Sequence, residues 1–157
     1  MKKTAILVVL FIVILLIAGY ARAEDGMRIG IGKAVINSHL KTAEIGYEYN
    51  SWEVNAALLE SGDTKNGSQD KLGIFSASYL TRPQGWGVWG IDPYFRLGVG
   101  YNTGSNLVGR TNYRLGIGLD FHDVWRVEFS HHSSAGIHSP NTGIDYVTIT
   151  YKAPAPW

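Results

Sequence analysis

The residues best suited to nucleophilic chemistry lie between Ser130 and Asp145. Ser130-His131-His132-Ser133-Ser134 is the densest run of reactive side chains, and Asp145 follows it. His131 and Ser133 are two positions apart, so on an extended strand they share a face. A serine hydroxyl needs an adjacent base to become a nucleophile, and neutral imidazole is the usual one. A carboxylate on the second imidazole nitrogen would fix the tautomer and stabilise the imidazolium that forms, and Asp145 is placed to supply it. The segment between them holds Gly136, Pro140, Asn141 and Gly143. It can turn sharply, and the Gly136 N–H or the Asn141 amide could face a developing oxyanion. A polar strand end entering a loop has the same composition, so residue types alone leave catalysis open. His132 belongs to the opposite face from His131. His131, His132 and His138 are therefore poorly arranged for a metal, which needs convergent ligands. His39 and His122 stand alone, and the chain contains no cysteine, so thiolate chemistry and disulfides are excluded.

The elements that position this cluster read as strands. Tyr113, Leu115, Ile117, Leu119 and Phe121 alternate with Asn112, Arg114, Gly116, Gly118 and Asp120. The same period of two runs through Met27–Ile31, Thr42–Tyr49, Tyr94–Tyr101, Trp125–Ser130 and Tyr146–Lys152, and less cleanly through Trp52–Leu59 and Leu72–Leu80. That makes eight strands of a length suited to crossing a bilayer when tilted. Polar loops fall at Ser61–Asp70, Asn102–Arg110 and Ser134–Thr142, and short junctions at Asn50-Ser51 and His122-Asp123. The longer Thr81–Gly90 connection carries Pro83, Trp86 and Trp89. With both termini in the periplasm, the three polar loops lie outside the cell and the two short junctions inside, the pattern of outer-membrane barrels.

The N-terminus sets the compartment. Lys2 and Lys3 precede an uncharged apolar run from Ala5 to Ala18, and Ala21-Arg22-Ala23 offers a small-residue cleavage site. This predicts a secretory signal peptide over 1–23 and one domain over 24–157. The apolar run is shorter than a spanning helix requires. Cleavage would remove Lys2, Lys3 and Arg22 from the 14 bases and none of the 13 acids, leaving a slightly acidic domain with no bias toward nucleic acid.

Alternation does not say which face meets water. A soluble lipocalin-like barrel would turn the apolar set inward, and a membrane barrel turns it outward. Two features favour the membrane. Glycines crowd the polar face at Gly30, Gly32, Gly46, Gly98, Gly100, Gly116 and Gly118, leaving room for Arg28, Glu44, Arg96, Arg114 and Glu128 to pair across a narrow lumen. Aromatic residues on the apolar face gather near strand ends, as in an interfacial girdle. The chain also ends on an aromatic, Trp157. The expected fold is all-β, an eight-stranded antiparallel transmembrane up-and-down barrel of a bacterial outer membrane.

His131-His132-Ser133-Ser134-Ala135-Gly136-Ile137, followed by Pro140-Asn141-Thr142-Gly143-Ile144-Asp145, resembles the C-terminal signature of the PagL-type lipid A 3-O-deacylase family. The resemblance is specific over Val127–Lys152. It implies a serine esterase that removes an ester-linked 3-hydroxyacyl chain from lipid A in the outer leaflet, without metal or organic cofactor. Ser133 would be the nucleophile, His131 the general base and Asp145 the orienting acid, with Asn141 and Gly136 as oxyanion donors. Two positions depart from the family pattern: Ser134 stands where Asn is frequent, and Asp145 where Glu is frequent. Two other functions stay open from sequence: a non-enzymatic structural or adhesive barrel, and an acyltransferase in which a lipid replaces water as acceptor. Whether two barrels pair as a homodimer is also open.

Overall fold

In the computed structural model, which describes residues 25–137, 139 and 141–153, the alternating segments form strands. They are β1 (Gly26–Ala34), β2 (Lys41–Tyr49), β3 (Trp52–Leu59), β4 (Gly62–Thr64), β5 (Gly67–Gln69), β6 (Leu72–Thr81), β7 (Ile91–Asn102), β8 (Thr111–Phe121), β9 (Trp125–Ser133) and β10 (Ile144–Lys152). Eight of them close a barrel in the order β1-β10-β9-β8-β7-β6-β3-β2. All pairings are antiparallel. The segment read as a polar loop over Ser61–Asp70 is itself structured: β4 and β5 form a small separate hairpin. Its strands are three residues each and polar, so they carry no alternation for a sequence reading to detect. The leader expected over 1–23, His138, Pro140 and Trp157 lie outside the described residues.

The short junctions set the register at one end. Asn50 and Ser51 have φ of 47° and 68°, and His122 and Asp123 have 50° and 57°. Positive φ at both central positions marks the hairpin turn whose twist matches that of the flanking strands. From these turns the β2–β3 and β8–β9 ladders run uninterrupted, as does β9–β10 from Tyr151↔Trp125 to Ile144↔His132. Without a bulge, side-chain parity holds to the end of β9.

The apolar set faces outward. Ile31, Ile45, Leu97, Val99, Leu115, Ile117 and Ile149 are all exposed on the barrel wall. At the short-turn end this belt is edged by aromatic pairs, Trp52 with Tyr79 (ring centroids 5.2 Å apart) and Trp125 with Tyr151 (5.1 Å). At the loop end Tyr101 and Tyr113 are exposed. An apolar wall between aromatic girdles suits hydrocarbon, not water. The soluble-barrel alternative is therefore rejected: the outward face is the apolar one.

The lumen holds the charges. Arg126 bonds Glu53 (2.7 Å), Glu48 (2.9 Å) and Asp120 (2.8 Å), and Arg96 bonds Glu53 (2.9 Å) and Glu128 (2.8 Å). Arg114 also bonds Glu128 (2.8 Å). Tyr94 donates its hydroxyl hydrogen bond to Glu128, and its ring lies 4.5 Å from the Arg126 guanidinium. Glycine makes the space: a Cβ on Gly118 would fall 2.5 Å from the Tyr94 ring. Toward the loop end the filling changes. Leu40, Leu59, Leu72, Ile74, Leu107, Val108, Ile144 and Tyr146 form an apolar plug above the ion pairs. The sequence reading expected the charged lumen; it did not expect the plug, because Leu107 and Val108 enter from a loop that reads as polar.

Candidate active site

Ser133 closes β9, and Asp145 is the second residue of β10. His131 is directly opposite Asp145 in the antiparallel register. His131 and Ser133 fall on the outward face with Trp125, Val127 and Phe129, all three of them exposed. Asp145 has the same outward parity as Val147 and Ile149, yet only 6% of it is exposed. The difference is cover: the Val35 N–H donates to the Asp145 carbonyl (2.9 Å), and His131 lies across its carboxylate.

His131 Nδ1 is 2.6 Å from Asp145 Oδ1. An ionised carboxylate only accepts, so this contact places the proton on Nδ1 and leaves the Nε2 lone pair free. Asn37, in the β1–β2 loop, donates from Nδ2 to the carbonyls of Thr142 (2.9 Å) and Gly143 (3.3 Å) and, more distantly, to Asp145 Oδ2 (3.4 Å). Gly143 leaves the room that the ring occupies. Its φ is +86°, and a Cβ there would lie 2.6 Å from His131 Cε1. Neither Asn37 nor Gly143 was legible as a site residue: Asn37 comes from a distant loop, and Gly143 reads only as a turn former.

Ser133 Oγ donates to Asn141 Oδ1 (3.1 Å) and accepts from the Ala135 N–H (3.0 Å). A hydroxyl has one proton, so in this arrangement it is directed to Asn141 and not to His131. Asn141 Oδ1 also accepts from the Ser134 N–H (2.8 Å). Two donors converge on that oxygen, so Asn141 presents an acceptor toward the serine, where the sequence reading expected a donor. Gly136, at φ +77°, stands in the turn closed by the Ile137 N–H to Ser134 carbonyl bond (2.9 Å), with open space around its α-carbon.

The loops around the site interlock. Asn66 bonds Thr142 Oγ1 (2.8 Å) and the Asn106 carbonyl (2.7 Å), and the Thr142 N–H bonds the Leu107 carbonyl (2.7 Å). Asn141 forms a bridge with Val108. Each loop anchors another, so Asn141, Thr142 and Gly143 are held from three sides. His132 points the other way, as its parity requires. It is fully buried, with Nδ1 2.7 Å from Asn112 Oδ1 and Nε2 2.7 Å from the Tyr146 hydroxyl.

Residues 36–154 match the family model for lipid A 3-O-deacylase, PagL. The chain belongs to the PagL family. The crystal structure of the outer membrane enzyme PagL is similar with a TM-score of 0.58 and 22% sequence identity, over 83% of this chain and 99% of that one. That likeness establishes a shared fold. The backbone structure of the Yersinia pestis outer membrane protein Ail in a phospholipid bilayer nanodisc has a TM-score of 0.43 and 17% identity, over 82% and 98% of the two chains. No curated protein sequence is significantly similar.

The two departures from the PagL signature have distinct structural settings. Asp145 is a methylene shorter than Glu, and from directly across the strands it still reaches His131 Nδ1 at 2.6 Å. Ser134 does not face Ser133's open side. It is 1% exposed, and its Oγ accepts from the Gly109 N–H (2.7 Å), so it fastens one loop to another.

Proposed function

We propose that this PagL-family barrel is a serine esterase that hydrolyses an ester-linked 3-hydroxyacyl chain, at the 3 position, from lipid A in the outer leaflet. The observation that carries this reading is the 2.6 Å contact between His131 Nδ1 and Asp145 Oδ1, which leaves Nε2 available on the face that also bears Ser133. A structural or adhesive barrel has no use for a buried acid aligned with a half-exposed histidine beside a serine.

The reaction follows from these groups. The Ser133 hydroxyl turns from Asn141 to His131 Nε2, which takes its proton as Oγ attacks the ester carbonyl. Asp145 stabilises the imidazolium. The sugar oxygen leaves with the proton from His131. Water then attacks the acyl-enzyme, with His131 as base again, and releases the fatty acid. Once Ser133 turns away, the Ala135 N–H that it engaged is released toward the oxyanion, and the Gly136 N–H of the same turn is a second candidate donor. Asn141 holds the Ser134 N–H and so fixes the shape of this turn.

Mass spectrometry of lipid A from cells expressing the wild type or Ser133→Ala tests the reading. The expected result is loss of one hydroxyacyl chain with the wild type and intact lipid A with the variant. Intact lipid A in both would leave a non-enzymatic barrel, and the chain reappearing on another lipid would indicate acyl transfer.

A further inference from the structure

Two lysines interrupt the apolar wall on the side of the barrel next to Asp145. Lys33 on β1 has the outward parity of Ile29 and Ile31, and Lys41 opens β2. Both are exposed, and they face each other directly in the β1–β2 register. Like charges directly opposite on a sheet repel, and a cation on a lipid-facing wall carries a further cost. Among the described residues neither ammonium lies within 4.0 Å of a carboxylate. Glu60, opposite Lys41 just beyond the β2–β3 ladder, places Oε1 on the Lys41 backbone N–H (2.8 Å), and Asp145, two residues from the Lys33 partner Val147, is held by His131.

The position of the pair relative to the site is informative. Ser133 is the last residue of β9, Asp145 the second of β10, Lys33 the next to last of β1 and Lys41 the first of β2. Each is thus within one residue of the loop-side end of its strand, and these strands are consecutive around the barrel. The four therefore lie along one rim. Lys33 and Lys41 are level with Val147 and Phe129 in the register, four residues along β9 from Ser133, so with strands about 4.8 Å apart and about 3.4 Å per residue they are roughly 17 Å and 20 Å from Ser133, backbone to backbone. The lysine side chains span part of that distance, and the remainder is the scale of a phosphorylated disaccharide. A lysine stem can lie along apolar surface while its ammonium reaches the interface.

Resting on the esterase reading, we propose that Lys33 and Lys41 together bind a phosphate on the sugar headgroup of the lipid whose ester is presented to Ser133. A phosphate between two ammonium groups turns their mutual repulsion into two charge-assisted contacts. It would also set the direction in which the headgroup lies along the rim, with the phosphorylated part over β1–β2 and the reacting ester over β9. The pair is a positioning device: it touches the substrate away from the bond that breaks.

The test uses the full-length protein in phosphatidylcholine nanodiscs, with bisphosphorylated lipid A and chemically dephosphorylated lipid A as probes. Binding is measured on Ser133→Ala, so that no turnover occurs, and hydrolysis on proteins that keep Ser133. The phosphorylated probe should bind roughly tenfold more tightly than the dephosphorylated one, and Lys33→Gln/Lys41→Gln should erase that ratio, a difference of about 1.4 kcal/mol. In hydrolysis the double variant should raise KM for the phosphorylated substrate and leave kcat, and leave both constants for the dephosphorylated one. Lys71→Gln, at another exposed lysine, is the control. Survival of the binding ratio in the double variant, an equal loss in the Lys71→Gln control, or the same effect from free inorganic phosphate as competitor without any lipid preference would overturn the proposal. A protein that shows the ratio and its loss but hydrolyses neither probe would sink the esterase reading and leave the phosphate site standing.

Discussion

At the scale of single residues, the histidine is the pivot, because one of its nitrogens is already committed. Asp145→Asn would replace an acceptor by a group that can turn an N–H toward Nδ1, favouring the tautomer with its proton on Nε2. Nε2 would then no longer accept from Ser133, and kcat should fall by about 10³–10⁴-fold. Asp145→Glu should be milder, near tenfold, since the carboxylate is kept but the extra methylene must be absorbed in a contact already at 2.6 Å. Steady-state rates on lipid A decide both; a normal kcat for Asp145→Asn would remove this acid from the mechanism. His132→Ala separates chemistry from structure. It leaves Asn112 and Tyr146 without their buried partner, at about 1–3 kcal/mol for each unsatisfied group, while hydrolysis by the folded protein should persist. Activity lost as fully as with His131→Ala would mean that His132 takes part in the reaction. The contrast between these neighbours was legible beforehand, because strand parity alone puts His131 with Ser133 and His132 on the other face. The orientation of Asn141 was not legible: which end of a carboxamide faces the serine depends on the Ser134 N–H, and no sequence pattern encodes that convergence.

Among the elements, the loops fix what the strands only bring near. β9 and β10 deliver His131 and Asp145 to adjacent positions, but the imidazole occupies room that only a glycine at position 143, which no strand contains, leaves open. Gly143→Ala places a methyl group 2.6 Å from Cε1 and strains a backbone at φ +86°, so the ring must rotate or the loop must move. Either changes the position from which Nε2 would take the serine proton in the proposed reaction. The expected result is a loss of kcat of roughly 10²-fold with the barrel still folded, the scale of a 1 Å misplacement of reacting groups. Heat-modifiable electrophoretic mobility would report the fold and lipid A hydrolysis the rate. Unchanged kcat would show that the ring is held by Asp145 alone. The long strands were readable because each must alternate along its whole length to divide lipid from lumen. The β4–β5 hairpin was not, since Gly62-Asp63-Thr64 and Gly67-Ser68-Gln69 divide nothing; they are ordered instead by Asn106, which bonds the Gly67 and Ser68 carbonyls at 3.1 Å and 3.0 Å.

For the molecule as a whole, the interior is filled and the proposed site lies on the outer wall. Arg126 joins Glu48, Glu53 and Asp120, and each of them keeps a second arginine, Arg28 or Arg82 for Glu48 and Asp120 and Arg96 for Glu53. Arg126→Met would therefore remove charge-assisted bonds without leaving an acid unpaired, at a cost of about 1–3 kcal/mol, read as a lower urea midpoint for unfolding from bilayers. An unchanged midpoint would show that water or neighbouring arginines take over. The ion pairs below and the apolar plug above leave no route for a lipid through the lumen, whereas Ser133 and His131 open on the wall. Substrate should therefore arrive sideways from the membrane. The absence of cysteine makes this testable, because a single introduced thiol labels alone. Phe129 is exposed on β9, on the same face as His131 and Ser133. Leu58 is exposed near the loop-side end of β3, which is four strands away in an eight-stranded ring and thus on the opposite wall. A bulky maleimide adduct on Phe129→Cys should block lipid A hydrolysis. The same adduct on Leu58→Cys should leave it, while both unlabelled variants remain active. A substrate entering through the lumen or from the solvent above the loops would be indifferent to both adducts, so full activity of the labelled Phe129→Cys protein would refute lateral entry. Equal inhibition at both positions would instead mean that the adduct perturbs the barrel wherever it is placed. Lateral entry thus demands the asymmetric outcome, in which one wall of the barrel is sensitive and the facing wall is not.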